Sequence, residues 1–179
     1  PIVAGAAALV LQSQPNFTPA QVKSALVHTA AQSVTEDDSG DPVSVREVGA
    51  GLLDTNAAIG QTVTVDPATL SFGALNGISL PLSQTLKFTN AGSGSVTLTF
   101  TVSAASASSA ASVSVSPSTL SLAAGASGSV TAKLSGSAPS PGVYEGFVVV
   151  SGAPKAMRIP YMFLEGDGVK GPMGVKAIT

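Results

Sequence analysis

The sequence predicts an α+β fold that is mostly β: a short helical segment over residues 1–60, an antiparallel β-sandwich over 61–165, and a linker or tail over 166–179. Three observations carry this expectation. Residues 1–60 hold helix-start signals and, between 18 and 30, apolar side chains at three-to-four spacing. Beyond Gln61 that spacing gives way to short alternating runs bounded by Gly, Pro, Asn and Ser. Finally, the block Val63-Thr64-Val65-Asp66-Pro67-Ala68-Thr69-Leu70-Ser71-Phe72 recurs as Val113-Ser114-Val115-Ser116-Pro117-Ser118-Thr119-Leu120-Ser121-Leu122. Half a sandwich is too small to stand alone, so the repeat predicts two similar β-arms within one domain.

The helical elements follow from local chemistry. Pro1 suits the first turn of a helix, where its missing N–H costs nothing, and the segment Ile2 to Gln14 continues it. Its apolar residues Ile2, Val3, Leu9, Val10 and Leu11 are spread around the helical wheel, and a helix that is apolar all round belongs inside a larger body. Thr18-Pro19-Ala20-Gln21 spells a capping box with Pro at the first helical position, and Phe17 is placed to staple onto Val22. The second helix should run to Thr29 or Ala30 with Val22, Ala25, Leu26 and Thr29 on one face. In Gly49-Ala50-Gly51-Leu52-Leu53-Asp54 the two leucines are expected to be buried, and Asp54 to cap a short helix ending at Ile59.

In the second half the spacing predicts strands over 63–66, 70–73, 83–89, 96–103, 111–116, 120–123, 127–135, 143–151 and 156–164. Asn90 to Gly94 and Ala124 to Ala126 have the freedom for hairpin turns, and the low-complexity Ser103 to Ser112 reads as a mobile hairpin end. Seven to nine strands in about 105 residues is the pattern of an immunoglobulin or fibronectin type III sandwich. Such a domain, residues 61–165, is expected to fold by itself.

Composition excludes several function classes. Charged residues make up only 10%, and a net charge of −2 gives no electrostatic basis for binding nucleic acid or an acidic membrane. The first 60 residues hold two basic side chains against six acidic ones, the remainder six against four. No cysteine is present, which removes disulfides and thiolate metal sites, and no apolar run reaches the length of a membrane span. The acidic run Glu36-Asp37-Asp38-Ser39-Gly40-Asp41-Pro42 lacks the alternating oxygen ligands and terminal Glu of an EF-hand, so it reads as a solvated turn. Trp is absent and only Tyr144 and Tyr161 remain, against sugar recognition by stacking. The carboxylates of the β half, Asp66, Glu145, Glu165 and Asp167, show no pairing of the kind a glycosidase needs. No metal or cofactor is expected.

The order of three segments carries a resemblance. Pro1-Ile2-Val3-Ala4-Gly5-Ala6-Ala7-Ala8-Leu9, then Thr18-Pro19-Ala20-Gln21-Val22-Lys23-Ser24-Ala25-Leu26, then Gly49-Ala50-Gly51-Leu52-Leu53-Asp54, resemble the end of the catalytic domain of subtilisin-like serine proteases. The β half resembles the fibronectin type III-like domains that follow that domain in many secreted members, with Arg158-Ile159-Pro160-Tyr161-Met162-Phe163 as last strand. The resemblance implies an extracellular endopeptidase whose catalytic Ser lies four residues before Pro1, with the triad Asp and His further upstream. None of the three is in this chain, so no catalytic residue is assigned and no protease activity is expected of it alone. His28 is expected to be a surface or helix-end histidine without a catalytic role. Because the sheet that should cover Ile2, Val3, Leu9, Val10 and Leu11 is absent, the chain is expected to self-associate through the first helix or to bind the missing protease portion. A free-standing secreted adhesive or scaffold module is the alternative reading.

Overall fold

The computed structural model describes residues 1–33, 35–36 and 41–166. Most of the acidic run, residues 37–40, and the tail from 167 onward lie outside them. Four helices come first: α1 (Ile2–Ser13), α2 (Pro19–His28), α3 (Val45–Val48) and α4 (Thr55–Ile59), with a small ladder of β1 (Thr35–Glu36) and β2 (Asp41–Pro42) between α2 and α3. Their starts are those the sequence encodes. The Thr18 side chain accepts from the Gln21 N–H while the Gln21 side chain accepts from the Thr18 N–H, and Asp54 accepts from the Ala57 N–H at 2.9 Å. A small core of Val10, Phe17, Val22, Ala25 and Ala58 ties α1, α2 and α4 together.

Nine strands follow: β3 (Val63–Asp66), β4 (Leu70–Ala74), β5 (Leu82–Asn90), β6 (Val96–Ala104), β7 (Ala111–Ser116), β8 (Thr119–Leu122), β9 (Ser127–Gly136), β10 (Gly142–Ser151) and β11 (Met157–Glu165). They form a four-stranded sheet ordered β3-β5-β9-β7 and a five-stranded sheet ordered β4-β11-β10-β6-β8. The inward residues alternate along each strand, and Leu86, Phe88, Leu98, Phe100, Val130, Leu134, Val148, Ile159 and Phe163 meet in one core between the sheets. Phe88 and Phe100 pack tilted at 5.1 Å between ring centroids. The repeated blocks are two corner arms. β3–β4 and β7–β8 each begin on an edge of the four-stranded sheet and end on an edge of the five-stranded one, so one arm closes each flank.

Several expectations need correction. The sandwich is not wholly antiparallel, because β4 pairs parallel with β11. Asn90 to Gly94, Ala124 to Ala126 and the Ser/Ala-rich stretch between Ser103 and Ser112 are not hairpin turns: each joins strands of opposite sheets. Asn90 shows why the first of these works. Its side chain donates to the carbonyls of Gly94 and Ala123 and accepts from the Gly92 N–H, satisfying a backbone that has left its sheet. Leu52 is 58% exposed and Leu53 half-buried, where both were expected to be buried. The chain there runs extended and exchanges two hydrogen bonds with Ala31, and at Gly51 (φ 120°) any Cβ would collide with the Ala31 carbonyl oxygen. His28 ends its helix as expected but is buried, not at the surface, with 1% of its area exposed.

Candidate functional site: the first helix and its seat on the sandwich

The first helix is apolar all round yet covered on one side only. Ala6 and Val10 face α2 and α4 and are buried, whereas Ile2 is 81% and Val3 62% exposed, and Leu9 and Leu11 are close to half exposed. Single exposed apolar residues are ordinary, but four on one short helix, flanking its buried stripe on both sides, leave apolar surface that water penalises. Burying a fully exposed side chain of this kind gains about 1.5–3 kcal/mol, so Ile2 stands to gain most of that and the partly covered Leu9 and Leu11 about half. Pro1 stands at the N-cap without a side-chain hydrogen bond, so the first N–H groups of α1 point outward.

This helical unit is seated on the sandwich through polar contacts that sequence reasoning missed. The His28 Nε2–H donates to the Ala68 carbonyl at 2.8 Å, which fixes the tautomer, because a carbonyl can only accept. Nδ1 therefore accepts from the Ser24 hydroxyl at 2.9 Å, and the Ser24 oxygen in turn accepts from the Val65 N–H at 2.8 Å. Burial lowers the His28 pKa from 6.5 to about 4, so the imidazole is neutral near pH 7. Ser24 and His28 stand within hydrogen-bond reach like a nucleophile and its base, but both are sealed from solvent and no carboxylate joins them. They join the helical part to β3.

A second joint lies on the outer face of the five-stranded sheet. Glu145 on β10 is buried and accepts from the Ser44 hydroxyl and the Val45 N–H, both at 3.0 Å, capping α3. The Arg158 guanidinium donates to the Ala30 carbonyl at 2.9 Å and lies over the Phe147 ring at 5.8 Å, and its partial burial lowers its pKa. Gln61 is wholly buried and bridges the Val63 N–H and the Lys155 carbonyl. Replacing Glu145 by Ala leaves two donors without an acceptor and should cost about 1–3 kcal/mol in a urea titration. A loss under a few tenths of a kcal/mol would show that α3 does not depend on this carboxylate.

The described residues contain no group of three or more His, Asp or Glu placed to hold a metal ion. No helix among them is long and apolar enough to cross a membrane. The Ser24–His28 signal, two polar residues four apart on one helix, was present in the sequence. Their partners Val65 and Ala68, some 40 residues away, were not readable from it.

Residues 1–51 match the Subtilase family model. No curated protein matches the chain. Among solved structures, the PapD-like domain 7 of human CEP192 is 12% identical, with 59% of this chain and 86% of that one covered and a TM-score of 0.46. The E. coli chaperone DraB is 16% identical over 62% of this chain and 58% of its own, at a TM-score of 0.45. The secreted serine protease VesC of Vibrio cholerae is 19% identical over 53% of this chain and 21% of its own, at 0.38. Likenesses this distant assign no function.

Proposed function

We propose that residues 1–60 are the closing part of the catalytic domain of a subtilisin-like serine endopeptidase. In this reading, residues 61–165 are a fibronectin type III-like accessory module, and the whole acts outside the cell. The match of residues 1–51 to the Subtilase family carries the reading. The uncovered side of α1 supports it, since Ile2, Val3, Leu9 and Leu11 are then buried against the portion that holds the triad.

The residues of this chain position rather than react. A serine four residues before Pro1 precedes the N-terminus of α1, where outward N–H groups and the positive end of the helix dipole favour developing negative charge. Ala6 and Val10, locked against α2 and α4, hold that helix end in place. An upstream His takes the serine proton and an upstream Asp orients the His. The Ser24–His28 and Glu145 joints hold the sandwich at a fixed angle to the catalytic part, where it adds stability or docks substrate.

A fluorophosphonate probe tests this. It should label the full-length parent on a serine upstream of Pro1 and leave the 179-residue chain unlabelled. The chain should also co-purify with a separately expressed upstream portion, and Ile2→Lys with Val3→Lys should abolish the capture. Labelling of this chain, or a parent that takes no label, would overturn the reading.

A further inference from the structure

We propose that β7 is a docking edge for a second copy of this chain, the two β7 strands pairing antiparallel about Ser114 to join the four-stranded sheets into one of eight strands. The argument begins with the four sheet edges, each a row of backbone groups that must be paired, capped or wetted. On the β3 edge the Ala91 N–H to Thr62 O bond fixes which residues face β5, so Val63 and Val65 turn outward. Both outward N–H groups are capped, by the Gln61 side chain at 3.1 Å and by Ser24 Oγ at 2.8 Å. On β4 the pairing with β11 is irregular near Gly73, and the Ser71 carbonyl accepts from Gln84. β8 is four residues long and turns only Thr119 and Ser121 outward, by the same logic from the Phe100 N–H to Ser118 O bond.

β7 differs. The Ser137 N–H to Ala110 O bond places Ser112, Ser114 and Ser116 in the pairs that exchange bonds with β9, and turns Ala111, Val113 and Val115 to the edge. The Ala111 N–H is taken by Ser108 Oγ at 3.3 Å. Val113 and Val115 keep outward N–H and C=O groups with no partner among the described residues. The strand also lacks the usual protections of an edge, since Ala111-Ser112-Val113-Ser114-Val115-Ser116 holds no charge and no proline, and its ladder with β9 has no bulge.

The occupant follows from symmetry. Two outward residues flanking Ser114 are self-complementary: Val113 N–H meets the carbonyl of Val115 of the second copy, the reverse bond closes the pair, and the two-fold repeats both, giving four hydrogen bonds. Val113 then stands beside Val115 of the second copy on the core side, and Ser114 directly opposite Ser114 on the outer side, with no like charges to repel. The helical unit is hydrogen-bonded to β3, β10 and β11 and, among the described residues, to no residue of β7.

The test is sedimentation of the full chain carrying Val3→Lys and Leu9→Lys, which remove association through the first helix. This protein should dimerise reversibly with concentration. Ser114 is exposed, so Ser114→Lys and Ser114→Glu should fold normally, and each should weaken the dimer by roughly five-fold or more, because like charges meet at the two-fold. An equimolar mixture of the two should restore it. A chain that stays monomeric at its highest soluble concentration, a dimer indifferent to Ser114→Lys, or a mixture that does not re-pair would overturn the proposal. A dimer of that kind unaffected by Ser114 would assign association to another surface.

Discussion

Truncating Phe88 to Ala should cost about 3–5 kcal/mol, a large part of the roughly 5–15 kcal/mol that holds a domain of this kind folded. Phe88 has no exposed area, lies two residues before the end of β5 and packs against Phe100 of the opposite sheet, so its loss opens a cavity where the two sheets meet. Sheets joined by many strands cannot collapse locally into such a space, which puts the cost toward the upper end. The helical part should melt with the sandwich. Its own core consists of five buried residues, and Ser24 and His28 lose their partners once β3 is gone. Urea titration read by both circular dichroism and tyrosine fluorescence should give one coincident transition, displaced to lower urea. A loss below about 1 kcal/mol would refute the role of Phe88 in the core between the sheets, and two separated transitions would refute the coupling of the helical part to the sandwich.

Acidification should destabilise the protein through one side chain. Since the folded-state pKa of His28 is lowered from 6.5 to about 4, the unfolded chain takes up a proton between those values and the folded chain does not. The stability due to the neutral imidazole is therefore complete above pH 6.5, falls as the pH drops toward 4, and changes little below that. Between pH 7 and 4.5 the loss is about 2–3 kcal/mol. Geometry gives the same sign: a proton on Nδ1 removes the acceptor of the Ser24 hydroxyl and leaves a charge in a sealed joint, with Lys23 nearby adding repulsion. The informative quantity is the difference from His28→Gln, which has no imidazole to protonate. The variant should be less stable at pH 7 and have a visibly flatter profile between pH 7 and 4.5. An identical slope would mean that another group governs the acid response.

Most of the local structure was legible because it is written in neighbouring residues. The capping box of Thr18 and Gln21, the Asp54 cap and the nine strands all depend on chemistry within a few positions, and each is found within about two residues of where the spacing puts it. The errors share one cause. A Gly- or Ser-rich turn says that the chain reverses, but not whether it returns in the same sheet or crosses to the other, because that depends on which strands compete for the pairing. Leu52 was misplaced for a similar reason: its apolar side chain argues for burial, but the backbone bridge to Ala31 sets its direction and points it to water. His28 was misread because its burial is decided by Ala68 and Val65, which arrive from the other half of the chain.

By itself the sequence determined the division into a helical part and a β part, the helix starts, the strand positions and the two repeated arms, all of which rest on composition, periodicity and short-range hydrogen bonding. Only the tertiary structure decided the partnerships. It made β4 run parallel to β11, sealed Ser24 and His28 between helix and strand, set Glu145 over α3, and left one face of α1 and the edge of β7 uncovered. The physical reason is that burial and backbone pairing are shared properties of segments far apart in the chain, and no single segment records what will be brought to lie against it.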